Sequence, residues 1–253
     1  MAPLTHATAR AALRPGPTCA GVAWAQTTRF GGGSTPPYGG FNLAPHVGED
    51  PALTAVNWTA LARHGGPSRA DVATCHQVHG DRIVTVARGG HHREDADALV
   101  SVDPGLGVGV FTADCVPVLY AVPGTAVAAA HCGWRGAARG LAGETLTVLA
   151  KAARVAPSAV HVWLAPAIAQ CSYEVGEELR ERFDARHLRP RRDGKLELDV
   201  GGAVVADLLG RGAAPARVAR STVDTYATPA CYSYRREGTP SGRMLSYVRL
   251  RPT

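Results

Sequence analysis

The sequence predicts an α+β fold built on a mixed β-sheet. Short apolar runs follow one another through the first half with turn signals and no helical segment between them. Clear helical periodicity begins only near Gly136. No internal repeat or low-complexity linker divides the chain, so residues 19–253 read as one domain. Consecutive strands argue against a doubly wound sheet, which alternates strands with helices. At 253 residues and 45% hydrophobic content the chain is large enough to bury one sizeable core.

Taken in order, residues 1–18 lack a continuous apolar stretch and read as a flexible N-terminal lead, not a secretory signal. Strand-like runs cover 21–25, 72–74, 82–87, 108–112, 116–122 and 126–130. Glycine and proline clusters at 30–33, 36–40 and 123–124 mark loops or tight turns. A helix from about Gly136 carries Ala138, Leu141, Ala142, Thr145, Leu149 and Ala152 on one mostly apolar face. A strand at 160–164 follows. A second helix is predicted from Val175, with Val175, Leu179 and Phe183 at i, i+4 and i+8 and Glu177 and Glu178 in its first turn. Residues 202–209 read as a third helix and 244–250 as a closing strand.

Composition narrows the function classes. No apolar run approaches the 18 or more residues of a membrane span, so no membrane partner is expected. The six cysteines have no paired spacing, which excludes a disulfide framework and C-x-x-C zinc or redox motifs and suits a reducing, cytoplasmic setting. The net charge of +6 is spread along the chain. Its densest cluster, 186–192, has no aromatic residue for base stacking, so it reads as a solvated loop and no nucleic-acid partner is expected. Nothing encodes the oligomeric state.

Chemistry concentrates in three stretches: Gln77-Val78-His79-Gly80, Asp114-Cys115, and His131-Cys132-Gly133-Trp134-Arg135-Gly136. Each places an imidazole or thiol at the end of an apolar run, beside glycines that let a ligand approach the backbone. A lone histidine or cysteine in such a place is usually structural. Three together at strand ends match the three protein ligands of a catalytic zinc site. Arg135, four residues after His131, can hold an anion, and Asp114 beside the thiol can shuttle a proton. Arg29 to Ser34 is glycine-rich but lacks Gly-Lys-Ser/Thr, so it is no P-loop. Near the C-terminus, 233–238 and Ser241-Gly242-Arg243 supply further cations.

Together with Phe41-Asn42-Leu43, His46-Val47-Gly48, Asp97-Ala98-Leu99-Val100, Pro166-Ala167-Ile168, Tyr173-Glu174-Val175-Gly176 and Ser233-Tyr234-Arg235-Arg236, these stretches resemble the laccase-domain family, the multicopper-polyphenol-oxidase-like proteins. They run in family order from Arg29 to Leu250. The resemblance implies a mixed β-sheet sandwich with flanking helices, as in Cys–His hydrolases and toxin deamidases. It implies purine nucleoside phosphorylase activity on adenosine, inosine, guanosine and methylthioadenosine with phosphate, and adenosine deaminase activity. It also implies zinc, with copper as the other proposed ion, on His79, Cys115 and His131. Arg29, Asn42, Gln77, Arg135 and Arg235 are its substrate-binding candidates.

The sequence departs from the family at Ala165-Pro166, where Gly-Pro is common, and at Asp224-Thr225-Tyr226, where a cysteine is common. His92-Arg93-Glu94 gives H-x-E, but no P-C-x-x-C follows, so a deaminase of the usual zinc scaffold is not expected. One competing reading is a metal-independent Cys–His amidohydrolase or deamidase acting on cell-wall precursors or amides, with Cys115 as nucleophile and His131 as base. Another is a non-enzymatic metal-binding module. A true multicopper oxidase needs His-x-His pairs and a His-Cys-His relay, and neither pattern occurs.

Overall fold

The structure, a computed structural model, describes residues 12–251. Three sheets form. The first runs in the order Leu13–Pro15, Val22–Thr27, Met244–Leu250, Gly107–Thr112, Val72–His76 and Gly90–Asp95. The second runs Val218–Arg220, His161–Leu164, Val116–Val122, Ala126–Cys132, Ala98–Ser101 and Ile83–Thr85. Both are mixed. Val72–His76 lies parallel to each of its neighbours in the first sheet, and the outermost strand pair at each edge of the second is parallel. A small third sheet joins Glu174–Val175, Leu196–Leu198 and Leu188–Pro190.

The two large sheets pack face to face, giving the α+β sandwich. Val22, Trp24, Ala73, Val108, Val110 and Val248 from the first sheet meet Leu99, Leu119, Ala121, Val127, Ala129 and Trp163 from the second in one buried cluster. This explains why the central strands read as apolar runs and not as alternating ones: both faces are covered. The outer face of the second sheet packs on helices Leu141–Ala153 and Val200–Gly210 through Tyr120, Leu146, Leu149, Val204 and Leu208. The outer face of the first packs on helix Pro51–Arg63 through Trp58, Leu61, Phe111 and Tyr247.

The chain crosses from the first sheet to the second twice in the region that carries the chemistry. Residues 77–82 connect Val72–His76 to Ile83–Thr85, and residues 113–115 connect Gly107–Thr112 to Val116–Val122. Each crossing turns on a non-glycine residue with positive φ, His79 at 60° and Asp114 at 95°. Such backbone costs of order 1–3 kcal/mol and persists where its surroundings hold it.

Several expectations are corrected. The helix predicted from Val175 does not form: Glu174 and Val175 pair with Glu197 and Leu196 in the third sheet, and only a short 3-10 turn, Glu177–Leu179, follows Gly176. The helix read from Gly136 is two helices, Trp134–Ala138 and Leu141–Ala153, separated at Gly140, whose φ of 73° suits glycine. Helix Pro51–Arg63 had no counterpart in the sequence reading. The lead read over 1–18 falls for 1–11 outside the described residues, while Leu13–Pro15 pairs with Ala25 to Thr27. In the basic cluster, Arg186 pairs with Asp184, Arg189 with Glu197, and Arg191 with Glu174, Asp193 and Glu197. Among the described residues no helix is long and apolar enough to cross a membrane.

Candidate metal centre

The donor atoms of His79, Cys115 and His131 lie within 4.8 Å of one another. Among the described residues they are the one such group of three or more possible ligands. Two of the three sit on the crossings between the sheets, and His131 lies near the end of strand Ala126–Cys132 in the second sheet. The His79 and His131 rings meet edge to face at 4.7 Å between centroids. His131 is 4% exposed, whereas His79 faces outward, so the centre opens on that side.

The residues present fit a metal ion. Two imidazoles and a thiol form the borderline-soft donor set that zinc takes, at bonds of ~2.0–2.3 Å, with room left for a fourth ligand. Gly133 keeps the space clear: a Cβ there would stand 3.1 Å from both Cys115 Sγ and His79 Cδ2. Burial alone would push the Cys115 thiol up, but the charge and ring N–H of His131, with His79 beside it, bring it down to about 6. Burial works the other way on His131, and the Cys115 thiolate and Asp97 outweigh it, raising the imidazole to about 9. Metal-free, the pair therefore stands as thiolate and imidazolium at neutral pH.

Around the centre lies a cavity of about 630 Å³ lined by Phe111, Trp134, Tyr173 and Tyr234, together with the donor trio and the guanidinium-bearing Arg135, Arg235 and Arg243. That volume is in the range of small-molecule sites. None of the three arginines pairs with a carboxylate among the described residues. Arg135 stacks on the Trp134 ring at 4.3 Å, and Arg235 lies 5.4 Å from the Tyr173 ring and donates to the Glu174 carbonyl at 2.8 Å. Arg243 is anchored through its backbone N–H on Asn42 Oδ1 and through Nη1 on the Ser241 and Gly242 carbonyls. Burial lowers its pKa, so a nearby anion would relieve the cost of keeping it charged.

The remaining candidates divide. Gln77 lines the cavity, but its amide is taken up at both ends by the Phe111 backbone, at 2.7 and 2.8 Å. Asn42 is fully buried outside the cavity, where it bonds Glu49, Ala44 and Arg243. Arg29 also lies outside the cavity lining, paired with Glu237 at 2.8 Å. Asp114 lines the cavity, but Thr225 Oγ1 donates to one carboxylate oxygen at 2.6 Å, and Ser233 Oγ and the Arg235 N–H donate to the other. It ties the Cys115 crossing to the segment bearing Arg235. Asp224, standing where a cysteine is common, bonds the Ala169 N–H and the Ser172 hydroxyl and so anchors a turn.

The sequence reading missed Tyr173, His46 and Asp97 as parts of the site. Tyr173 and His46 line the cavity, and burial pushes the first to stay protonated and the second down to about 4, hence neutral. Asp97 is fully buried and accepts from His131 Nδ1 at 2.8 Å. An acid abutting the wholly apolar Ala98-Leu99-Val100 was its available signal.

The profile of the family described as multi-copper polyphenol oxidoreductase laccase matches residues 23–251. Purine nucleoside phosphorylase YfiH of Escherichia coli K12 is 36% identical over 239 residues, covering 90% of this chain and 93% of that protein. Purine nucleoside phosphorylase Rv2149c of Mycobacterium tuberculosis H37Rv is 38% identical over 231 residues, covering 88% and 89%. Among solved structures, the Bacillus licheniformis hypothetical protein YfiH superposes with a TM-score of 0.84 at 25% identity, covering 91% of this chain and 93% of that one.

Proposed function

From the premise that this chain belongs to the multi-copper polyphenol oxidoreductase laccase family, we propose that it is a metal-dependent purine nucleoside phosphorylase that also deaminates adenosine. The observation that carries the reading is one cavity holding both the His79–Cys115–His131 donor set and three guanidiniums without carboxylate partners. Relatives named for the phosphorolytic activity support it. The substrates proposed are adenosine, inosine, guanosine and methylthioadenosine.

In phosphorolysis a phosphate oxygen bonds to C1′ of the ribose, the C1′–N bond breaks, and the departing purine nitrogen takes a proton. Arg135, Arg235 and Arg243 seat the phosphate and keep its charge near C1′, where positive charge develops on the sugar. Of the rings at the cavity, Trp134, Tyr173 and Tyr234 are the ones placed to stack on the base, such a stack contributing ~1–3 kcal/mol, while Phe111 is buried against helix Pro51–Arg63. The Tyr173 hydroxyl keeps its proton at neutral pH and makes no hydrogen bond among the described residues, which suits it to donate to the leaving nitrogen. Zinc, or copper, held by His79, Cys115 and His131 would supply Lewis acidity at the open side of the centre.

The test is adenosine with and without phosphate, products separated by chromatography, beside His79→Ala and Cys115→Ala. Adenine and ribose 1-phosphate should form only with phosphate, inosine should form in either case, and the variants should lose both. No product above the variants' background from zinc-loaded protein would overturn the proposal. Asp97 behind His131, with Cys115 in front, also makes a Cys–His–Asp series, which favours a metal-independent amidohydrolase as the second reading. Under that reading chelation leaves turnover intact while thiol alkylation abolishes it.

A further inference from the structure

Asp97 has no solvent exposure and makes no ion pair with arginine or lysine among the described residues. Its two carboxylate oxygens instead serve both histidines of the donor trio. Oδ1 accepts from the His79 N–H at 3.0 Å and from His131 Nδ1 at 2.8 Å. Oδ2 accepts from the Val78 N–H at 3.2 Å and from the Gly80 N–H at 2.6 Å. Three successive N–H groups around a residue in left-handed backbone form a concave nest for an anion. Here the left-handed residue is His79, with φ of 60°, and the anion is the Asp97 carboxylate.

We propose that Asp97 is the positioning residue of the metal centre, one carboxylate that holds the backbone turn of His79 and fixes the tautomer of His131. This rests on the metal-binding part of the reading above and on nothing in the nucleoside chemistry. An ionised carboxylate only accepts, so the ring nitrogen facing it must be the donor. When the ion displaces the second proton of the imidazolium, His131 thereby keeps its proton on Nδ1 and presents its Nε2 lone pair to the ion. The same carboxylate offsets the cost of the strained turn that aims His79.

Asparagine separates this role from a merely packed acid. With its oxygen towards His131, its NH2 faces the Val78 and Gly80 N–H groups, and the His79 turn is pushed out. With its NH2 towards His131, the imidazole must accept on Nδ1, carry its proton on Nε2, and lose its ligand lone pair. Either orientation removes one histidine from the ion. The related substitution behind a catalytic histidine in serine proteases leaves geometry intact yet imposes the wrong tautomer.

The experiment measures zinc affinity of full-length wild type and Asp97→Asn by competition with a chromophoric chelator. Absorption of the cobalt-substituted proteins reads the thiolate–metal and d–d bands. We expect Asp97→Asn to bind zinc ~10–100-fold more weakly with altered cobalt bands, while far-UV circular dichroism of the metal-free protein is unchanged. Affinity within twofold of wild type and an unchanged cobalt spectrum in a folded variant would overturn the proposal. Should Asp97→Asn not fold, long-range ¹H–¹⁵N correlation of the zinc-loaded wild type decides. Nδ1 protonated and Nε2 metal-bound on His131 supports the assignment, and the reverse sinks it. A wild type that takes up no stoichiometric zinc also sinks it. Zinc binding that depends on Asp97 in a protein without nucleoside turnover would leave this inference standing and overturn the phosphorylase reading alone.

Discussion

Gly133→Ala tests whether the three donors converge on one ion. The new Cβ would lie 3.1 Å from Cys115 Sγ and 3.1 Å from His79 Cδ2, where ordinary contact begins at 3.4 Å. Each ligand must therefore retreat by about 0.3 Å, and metal–ligand distances tolerate only about ±0.2 Å. The backbone itself admits alanine, since Gly133 has φ −67° and ψ 173°. Restricting the unfolded chain contributes ~0.4–1 kcal/mol, and losing glycine at the start of helix Trp134–Ala138 costs roughly the same. Metal-free stability should thus change by less than about 1 kcal/mol, while zinc affinity falls ~10–100-fold, the range seen when a ligand's support is disturbed.

Chelator competition gives the affinity, and thermal melts of metal-free and zinc-loaded protein show whether the loss is confined to the bound state. The zinc-induced rise in melting midpoint should shrink at equal zinc, because ligand stabilisation scales with the logarithm of concentration over Kd. If Gly133→Ala binds zinc as tightly as wild type, with the same midpoint rise, then Gly133 does not clear space for an ion between His79 and Cys115, and the geometric argument fails.

Two further outcomes follow from the site. The Cys115 thiol at about 6 and the His131 imidazole at about 9 leave the metal-free pair holding one proton between those values, and an arriving ion must displace it. Zinc affinity should therefore rise about tenfold per pH unit from about 6 to about 9, more steeply below, and level off above. Calorimetry in buffers of different ionisation enthalpy should find about one proton released per ion at neutral pH, and an affinity flat across this range would contradict the thiolate–imidazolium pair. Arg243→Met removes a cation whose charge-assisted bonds to phosphate are worth ~1.5–3 kcal/mol, so the KM for phosphate should rise at least ~10-fold while that for adenosine stays within about twofold. Initial rates across phosphate concentrations check this, and an unmoved phosphate KM would place the anion elsewhere.

The donor trio was legible because each ligand closes an apolar run, and a run's end is visible in one dimension. What lay beyond reach was that neighbouring runs belong to different sheets. Gly107–Thr112 and Val116–Val122 read as consecutive strands, yet they face each other across the sandwich, and Asp114-Cys115 is the step between them. Helix Pro51–Arg63 escaped for another reason. Its buried stripe, Thr54, Asn57, Trp58 and Leu61, has helical spacing but is half polar, because Asn57 bonds the Gly33 N–H, the Ser34 hydroxyl and the Asn42 carbonyl. The predicted helix at Val175 failed because its three apolar residues reach the same core without one: Val175 pairs with Leu196 in a short strand, Leu179 is buried from the 3-10 turn Glu177–Leu179, and Phe183 packs from beyond it.

The same contrast explains why motif residues divided into those at the cavity and those behind it. Arg29, Asn42 and Gln77 stand in motifs as clear as those of the ligands, yet their polar atoms are bonded to protein. Gln77 closes both amide ends on Phe111, and Asn42 holds the Arg243 backbone. A polar residue beside a site has two uses, to touch the ligand or to aim what touches it, and residue type does not distinguish them. Hydrogen-bond occupancy does. Asp114, filled by Thr225, Ser233 and Arg235, aims, as does Asp97, filled by three N–H groups and His131. Arg135, Arg235 and Arg243 stand at the cavity without carboxylate partners among the described residues, the last two held by backbone carbonyls. Both strained crossings are held by a filled, buried carboxylate: Asp97 gathers the N–H groups of the His79 turn, and Asp114, itself at positive φ, ties its own turn to Thr225, Ser233 and Arg235.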